Sequence, residues 1–323
     1  MIVGLGALGC PAADLLARAG VGRLSLIDRD IVEATNLQRQ TLFDERDAAE
    51  ALPKAEAARR RLRAINSGVV IEALVEDFAA ADAERIVSPH PRPDVILDGT
   101  DNFETRYLIN DVAVKLGIPY VYGAAVGTTG MAFTVIPGQT PCLRCLFPEP
   151  PAPGASATCD TAGILAPVSI IVAAAQVADA MKILLGKPER LSHTLLSFDL
   201  WTNQRLPPQR LDVSAARQPD CLCCGQRRFE FLDGQRAAEP AILCGRNSVQ
   251  IAARPGTTLE LVQIADRLGP HGQFILSAFH LRGTLSSGAT PIGLTLFPDG
   301  RAIFEGTTDP VAARMLYARY VGV

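Results

Sequence analysis

From Met1 to Val126 the chain alternates short apolar runs with amphipathic stretches, the pattern of a parallel sheet wrapped in helices. Met1-Ile2-Val3 reads as a first strand, short for a buried parallel one, and we expect upstream residues to be missing. Leu8 to Ala19 has helical spacing, with Pro11 near the first turn, where a missing N–H is harmless, and Gly20 and Gly22 end it. Arg23 to Ile27 is the second strand. Ile31 to Pro53 is a polar stretch long enough to suggest a functional loop, with at most one helical turn. Then follow a helix with a basic outer face (Lys54 to Ile65), a strand (Val69 to Val75), a short helix (Ala79 to Val87) and a strand at Val95-Ile96-Leu97. Phe103 to Leu116 is the next helix and Pro119 to Val126 the next strand.

After Gly130 the pattern changes. Met131 to Pro137 is another strand, and Cys142-Leu143-Arg144-Cys145 a tight turn. Pro- and Gly-rich sequence leads to Cys159 and then to a largely apolar helix, Ile164 to Leu185, read as buried core or subunit interface. Ser192 to Leu206 looks like an antiparallel pair. From Phe229 the composition resets, so the chain divides into 1–228 and a small α+β domain, 229–323. That tail has strands near Ala241–Ala252, Gln273–Leu285 and Ile292–Glu305, and helices near Leu259–Leu268 and Pro310–Tyr320. Pro298-Asp299-Gly300-Arg301 is a hairpin turn.

Composition bounds the chemistry. With 323 residues, 48% hydrophobic and 20% charged, the chain is long enough for one large α/β core and an appendage. A net charge of −3 gives no reason to expect a nucleic-acid partner. The longest apolar run, Ile164 to Ala175, is too short to span a bilayer, and no signal peptide opens the chain, so we expect a cytoplasmic protein without membrane contact. Eight cysteines then read as metal ligands or a nucleophile rather than as disulfides.

Gly4, Gly6 and Gly9 between a strand and a helix let phosphates approach backbone N–H groups, and Asp28, at the end of the second strand, stands where a ribose is bound. An NAD-dependent oxidoreductase would share these features. It would not need Asn36, Arg39, Gln40 and Lys54, polar and cationic groups suited to a polyphosphate. Lys54 opens a helix, where its charge opposes the dipole and gains nothing locally. Asp101, beyond the fourth strand, can hold Mg²⁺ beside a triphosphate, while Asp101 or Asn102 caps the following helix. Asp98 reads as structural or supporting, and Arg106 as a further candidate for charge stabilisation. Cys142/Cys145 and Cys221/Cys224 can complete a closed tetrahedral zinc site, the other reading being two unrelated pairs; Cys223 is spare. Cys159 is a candidate nucleophile ahead of a helix, or a buried apolar residue.

Together these residues resemble the ThiF/MoeB/HesA family, relatives of the ubiquitin-activating enzymes, over Met1 to Gly225. The matching residues are Gly4-x-Gly6-x-x-Gly9, Asp28, Thr35-Asn36-Leu37-Gln38-Arg39-Gln40, Lys54, Asp101-Asn102, Arg106, both cysteine pairs and the segment Cys159 to Pro167. The resemblance implies ATP-dependent adenylation of the C-terminal glycine of a small β-grasp sulfur-carrier protein ending in Gly-Gly. The nucleotide contacts it implies are Gly4, Gly6, Ala7, Gly9, Asp28, Asp30, Thr35, Asn36, Arg39, Gln40, Lys54, Asp101 and Asn102. In its terms Arg39 and Lys54 stabilise phosphates, Asp101 holds Mg²⁺, Asp28 binds the ribose and Zn²⁺ is structural. The acyl-adenylate is opened by a sulfur donor such as a cysteine desulfurase, or by Cys159. The resemblance implies a homodimer; family members carry a helical segment before the first strand, with an arginine that reaches into the partner subunit's site, and this chain departs from the family in lacking it. The tail lacks a rhodanese-type cysteine loop, and carrier docking is the role expected of it. A tRNA-modifying dehydratase of the same superfamily would be expected to lack the paired cysteines.

Overall fold

The strands Ile2–Val3 (β1), Arg23–Ile27 (β2), Val70–Leu74 (β3), Ile96–Asp98 (β4) and Tyr120–Val126 (β5) pair in parallel in the order β3-β2-β1-β4-β5. The computed structural model describes residues 1–88, 91–151, 162–202, 208–236, 242–243, 248–251, 257–286 and 291–322. Thr129–Val135 (β6), Thr194–Asp199 (β7) and Gln209–Asp212 (β8) extend this sheet antiparallel, giving eight strands. The strand order reverses between β1 and β4, the switch point at which open α/β sheets form a ligand crevice beyond the carboxyl ends of the strands.

The helices of this unit are Gly9–Arg18 (α1), Glu45–Ala49 (α2), Lys54–Ile65 (α3), Ala80–Val87 (α4), Phe103–Leu116 (α5), Leu143–Leu146 (α6) and Ala166–Leu184 (α7). The polar stretch after β2 is more ordered than its composition suggests. It holds a 3₁₀ turn at Ala34–Asn36 and the helix α2, which Asp44 and Asp47 start with a reciprocal capping box. Helix α5 starts on Asn102, whose Oδ1 accepts from Thr105 N–H at 2.8 Å, and stops at Gly117 with φ 71°.

Helix α7 is long and apolar enough, by length and composition, to cross a membrane. Its buried face nonetheless belongs to the sheet. Val168 and Val172 pack with Ala125, Ala132 and Phe198, and the Gln176 amide donates to the carbonyls of Asp98 and Val121 at 2.8 and 3.0 Å. The opposite face exposes Ile170, Ile171, Met181 and Leu184, so only half of the helix is core.

The chain divides into two compact units, Met1–Ala237 and Ala238–Val323. The change of composition at Phe229 is therefore not where the contacts divide. Phe229, Phe231 and Leu232 are buried in the first unit's core, with the Phe231 ring 4.9 Å from Tyr107. The second unit is a six-stranded antiparallel sheet of Ile242–Leu243 (β9), Ser248–Ile251 (β10), Gly272–Leu276 (β11), Leu281–Leu285 (β12), Ile292–Leu296 (β13) and Ala302–Glu305 (β14). Leu261–Leu268 (α8) and Pro310–Tyr320 (α9) contribute Ile264, Leu268, Ala313 and Tyr317 to its core. The β13–β14 turn is closed by Asp299, which accepts from Arg301 N–H at 2.9 Å, with Gly300 at φ 88°.

Candidate functional site

Three glycines shape the crevice. Gly4 (φ 86°) ends β1, and a Cβ there would lie 2.8 Å from the Gly99 backbone. A Cβ on Gly9 or on Gly99 would overlap the Gly4 carbonyl oxygen. The loops after β1 and β4 are thus packed backbone against backbone. Gly6 is different, because a Cβ there would meet only the Gly99 oxygen at 3.5 Å, an ordinary contact. Internal packing does not require a glycine at Gly6, which leaves close approach of a ligand as the physical reason for one. Gly99 carries no fingerprint of its own; a glycine directly after a strand was the available signal.

Asp28 sits at the end of β2, and both of its oxygens are engaged. Leu5 N–H donates to Oδ2 at 2.6 Å and Asp30 N–H to Oδ1 at 2.7 Å. The carboxylate therefore ties the glycine loop to the strand end, and each oxygen keeps further acceptor capacity for a hydroxyl. Burial pushes the Asp28 carboxyl up, and the Lys54 charge draws it back down. Lys54 is 3% exposed, and its Nζ donates to Asp30 Oδ2 at 3.1 Å while its own N–H donates to the Asp30 carbonyl at 2.8 Å.

The polar segment after β2 is closed at its ends, where Ile31 bridges Pro53 and Val32 N–H donates to the Leu52 carbonyl at 2.8 Å. Asn36 and Gln40 are 2% and 4% exposed, yet Asn36 Oδ1 and Gln40 Oε1 have no hydrogen-bond partner among the described residues. Buried acceptors of this kind cost stability unless a donor arrives. Ribose or adenine groups of a nucleotide are suitable donors, so the residues present fit ATP. Arg39 is half-buried and one nitrogen donates to the Thr35 carbonyl at 3.1 Å; Thr35 itself is exposed.

Beyond β4, the work divides between neighbours. Asn102 caps α5, and the exposed Asp101 carboxylate accepts no hydrogen bond among the described residues, which suits a hard-oxygen ligand for Mg²⁺. Asp98 is fully committed inside. It accepts from Thr100 N–H (2.9 Å), Thr100 Oγ1 (2.7 Å) and Tyr120 OH (2.7 Å), and lies 3.5 Å from Arg106. Arg106 is buried, donates to the Thr100 carbonyl at 2.9 Å, and sits against the Phe103 and Tyr122 rings. Its charge braces the Asp98–Thr100 corner rather than the crevice.

The two cysteine pairs do meet. All four Sγ atoms of Cys142, Cys145, Cys221 and Cys224 lie within 4.8 Å of one another, with separations of 3.4, 3.6 and 3.9 Å among them. Sulfurs at about 2.3 Å from a tetrahedral zinc are separated by about 3.8 Å, so the donor set fits. Hydrogen bonds within the cluster, first from Cys142, hold the Cys145 thiol down to about 6. Helix α5 latches both halves, a role absent from the sequence reading. Asn110 accepts from Leu143 N–H at 2.8 Å and donates to Cys223 at 3.2 Å, while Asp111 accepts from Phe231 N–H at 3.0 Å. Cys223 is buried beside the cluster and is not part of it. Cys159 lies outside the described residues, as does Cys244.

A glycine turn at a sheet reversal, a strand-end acid and an adjoining lysine define a nucleotide-binding protein of the doubly wound class. The ThiF family model matches residues 1–223, and the chain belongs to that family. A Bacillus subtilis (strain 168) protein described as sulfur carrier protein ThiS adenylyltransferase is 43% identical over 322 residues, covering 100% of this chain and 92% of its own length. A Thermus thermophilus protein described as sulfur carrier protein adenylyltransferase is 39% identical over 230 residues, covering 70% of this chain and 81% of the relative. Among solved structures, E. coli MccB superposes with a TM-score of 0.58 at 25% identity, over 70% of this chain and 64% of that one; this is a likeness of fold.

Proposed function

We propose that this protein is an ATP-dependent adenylyltransferase acting on the C-terminal glycine carboxylate of a small β-grasp sulfur-carrier protein. The acyl-adenylate it forms is the activated carboxylate onto which sulfur for thiamin, molybdopterin or a related cofactor is then loaded. The observation that carries this reading is the buried Lys54 paired with Asp30 and acting on Asp28, in a unit whose Asn36 and Gln40 keep buried acceptors without partners among the described residues. A dehydrogenase has no use for that set, and identity to a named ThiS adenylyltransferase extends over the whole chain.

In the reaction a carboxylate oxygen of the carrier attacks the α-phosphorus, the bond to the β-phosphate oxygen breaks, and pyrophosphate leaves with the electron pair. The protein's part is to position the groups and neutralise charge. Glycine N–H groups and Gly6 admit the phosphates, Asp28 receives the ribose, and Arg39 and Lys54 balance the charge that moves toward pyrophosphate. Mg²⁺ held by Asp101 supplies charge neutralisation when bound. Zinc on the four cysteines holds the β6–α6 and Cys221–Cys224 segments together and takes no part in the chemistry.

A thiolate or persulfide sulfur of the donor, or the Cys159 thiolate, then attacks the acyl carbon of the adenylate, and AMP leaves with the electron pair of the broken carbon–oxygen bond. We further infer a homodimer through the exposed face of α7, where Ile170, Ile171 and Met181 form an apolar stripe, and a role for the second unit in carrier docking. Six free cysteines among the described residues suit the reducing cytoplasm, where we place the protein. The test is ATP–pyrophosphate exchange with candidate carriers ending in Gly-Gly. Exchange should require a carrier and fall at least about 100-fold in Arg39→Ala and Asp101→Ala, the size expected when one charge-stabilising group is lost. Exchange without any carrier, or undiminished in both variants, would overturn the assignment.

A further inference from the structure

We propose that the first unit carries a second, separate anion site: a cleft beside the cysteine cluster that binds a small polyanion with carboxylate or phosphate groups. The cleft has a volume of ≈ 410 Å³, within the usual range of ligand clefts, roughly 300–1,000 Å³. Its lining includes Lys115, Arg217, Arg227 and Cys224, and no carboxylate among the described residues. The three cations come from three segments: the last turn of α5, the stretch after β8, and the turn that follows the second cysteine pair.

Their arrangement concentrates positive charge instead of dispersing it. Lys115 and Arg227 are both held against one ring, Phe229, at 5.9 and 5.4 Å from its centroid. Arg227 does this from a left-handed backbone conformation (φ 54°), a strained choice for a non-glycine residue. Lys115 is offset by Glu84 at 3.0 Å, but neither arginine makes an ion pair among the described residues. Both arginines are exposed, and each donates from one nitrogen to a backbone carbonyl, Arg217 to Gly138 at 2.7 Å and Arg227, through a long contact, to Lys115 at 3.4 Å. The other guanidinium nitrogens keep their donors for a ligand, and a planar fork held at one end suits bidentate carboxylate or phosphate. Cys224, the one cluster cysteine that is not fully buried, lines the same cleft. A bound anion would therefore also cover the least buried residue of the cluster.

The test uses the zinc-loaded full chain with its nucleotide site saturated by a non-hydrolysable ATP analogue, titrated calorimetrically with inorganic pyrophosphate and, separately, with citrate. Saturable binding is expected, weakened at least about tenfold in Arg217→Gln and in Arg227→Asn; asparagine tolerates the left-handed conformation. Binding should also slow the loss of zinc to a chelator in the wild type and not in the double variant. Binding of pyrophosphate alone assigns a phosphate ligand, and binding of both a general polyanion. No saturable binding of either, or affinity unchanged in both variants, overturns the proposal. Carrier-dependent exchange should persist in these variants, which checks their folding and separates failure of the cleft from failure of the adenylation reading.

Discussion

Helix α5 serves two regions that differ in how complete they are. Toward its C-terminal half, Asn110 and Asp111 latch the cysteine segments, and four sulfurs stand at metal-ligand separations. Before its N-terminus lies the crevice, where Asp101 is exposed, and two buried amide oxygens in the loop after β2 lack partners among the described residues. One region offers a complete donor set that could close on a resident ion. The other keeps unsatisfied groups, whose cost is recovered when a ligand enters. Unmet groups alone do not separate the two regions, because Asp111 Oδ1 beside the cysteines is also buried without a partner among the described residues. The separation lies in the complete set of four sulfurs on one side and an exposed carboxylate on the other.

The largest expected effect comes from breaking the closed region. Cys145→Ser removes one thiolate from a complete set, and zinc content should fall with it. A structural zinc contributes several kcal/mol to folding, and at roughly 2–4 °C per kcal/mol the melting temperature should drop by about 10 °C. Chelation of the wild type should do the same. If the zinc-free protein melts with the holo form, the cluster is not what holds α6 and the Cys221 turn together.

Next come the glycines, which test the crevice from both sides. Gly99→Ala drives a methyl group into the Gly4 carbonyl, so stability should fall by about 1–3 kcal/mol and nucleotide binding with it. Gly6→Ala has room in the free protein, so its stability should stay within about 0.5 kcal/mol while nucleotide affinity is lost. Equal loss of stability in the two variants would mean that Gly6 serves packing after all.

These pairs also mark what the sequence could reveal. The order of strands and helices, the fingerprint glycines and both cysteine pairs were legible, because each is written in local spacing. Gly99 was not, since its constraint comes from Gly4, far away in sequence and in backbone contact across the β1–β4 boundary. Arg106 read as a candidate for charge stabilisation because its position one turn into α5 does not disclose which way it faces; Asp98 and Thr100 turn it inward. Helix α2 was hidden in a polar stretch whose only signal was its Asp44–Asp47 cap. Phe229 to Leu232 looked like the start of the tail because composition cannot show that Tyr107 and Asp111 receive them.

The smallest effect has the sign that separates the two regions most sharply. Gln40→Met keeps length and removes the buried acceptor that no described residue satisfies. In a finished structural site such a change would destabilise, because a partner would be left behind. Here no partner is left, so unfolding free energy should stay level or rise by about 1 kcal/mol. Nucleotide affinity should fall in the same variant, by roughly tenfold for one lost hydrogen bond to the ligand. Denaturant unfolding and ATP titration on the same preparation decide it. A drop in stability would place Gln40 in the scaffold, and unchanged affinity would mean that the nucleotide finds its donors and acceptors elsewhere. Opposite movement of the two quantities is what a group reserved for substrate predicts.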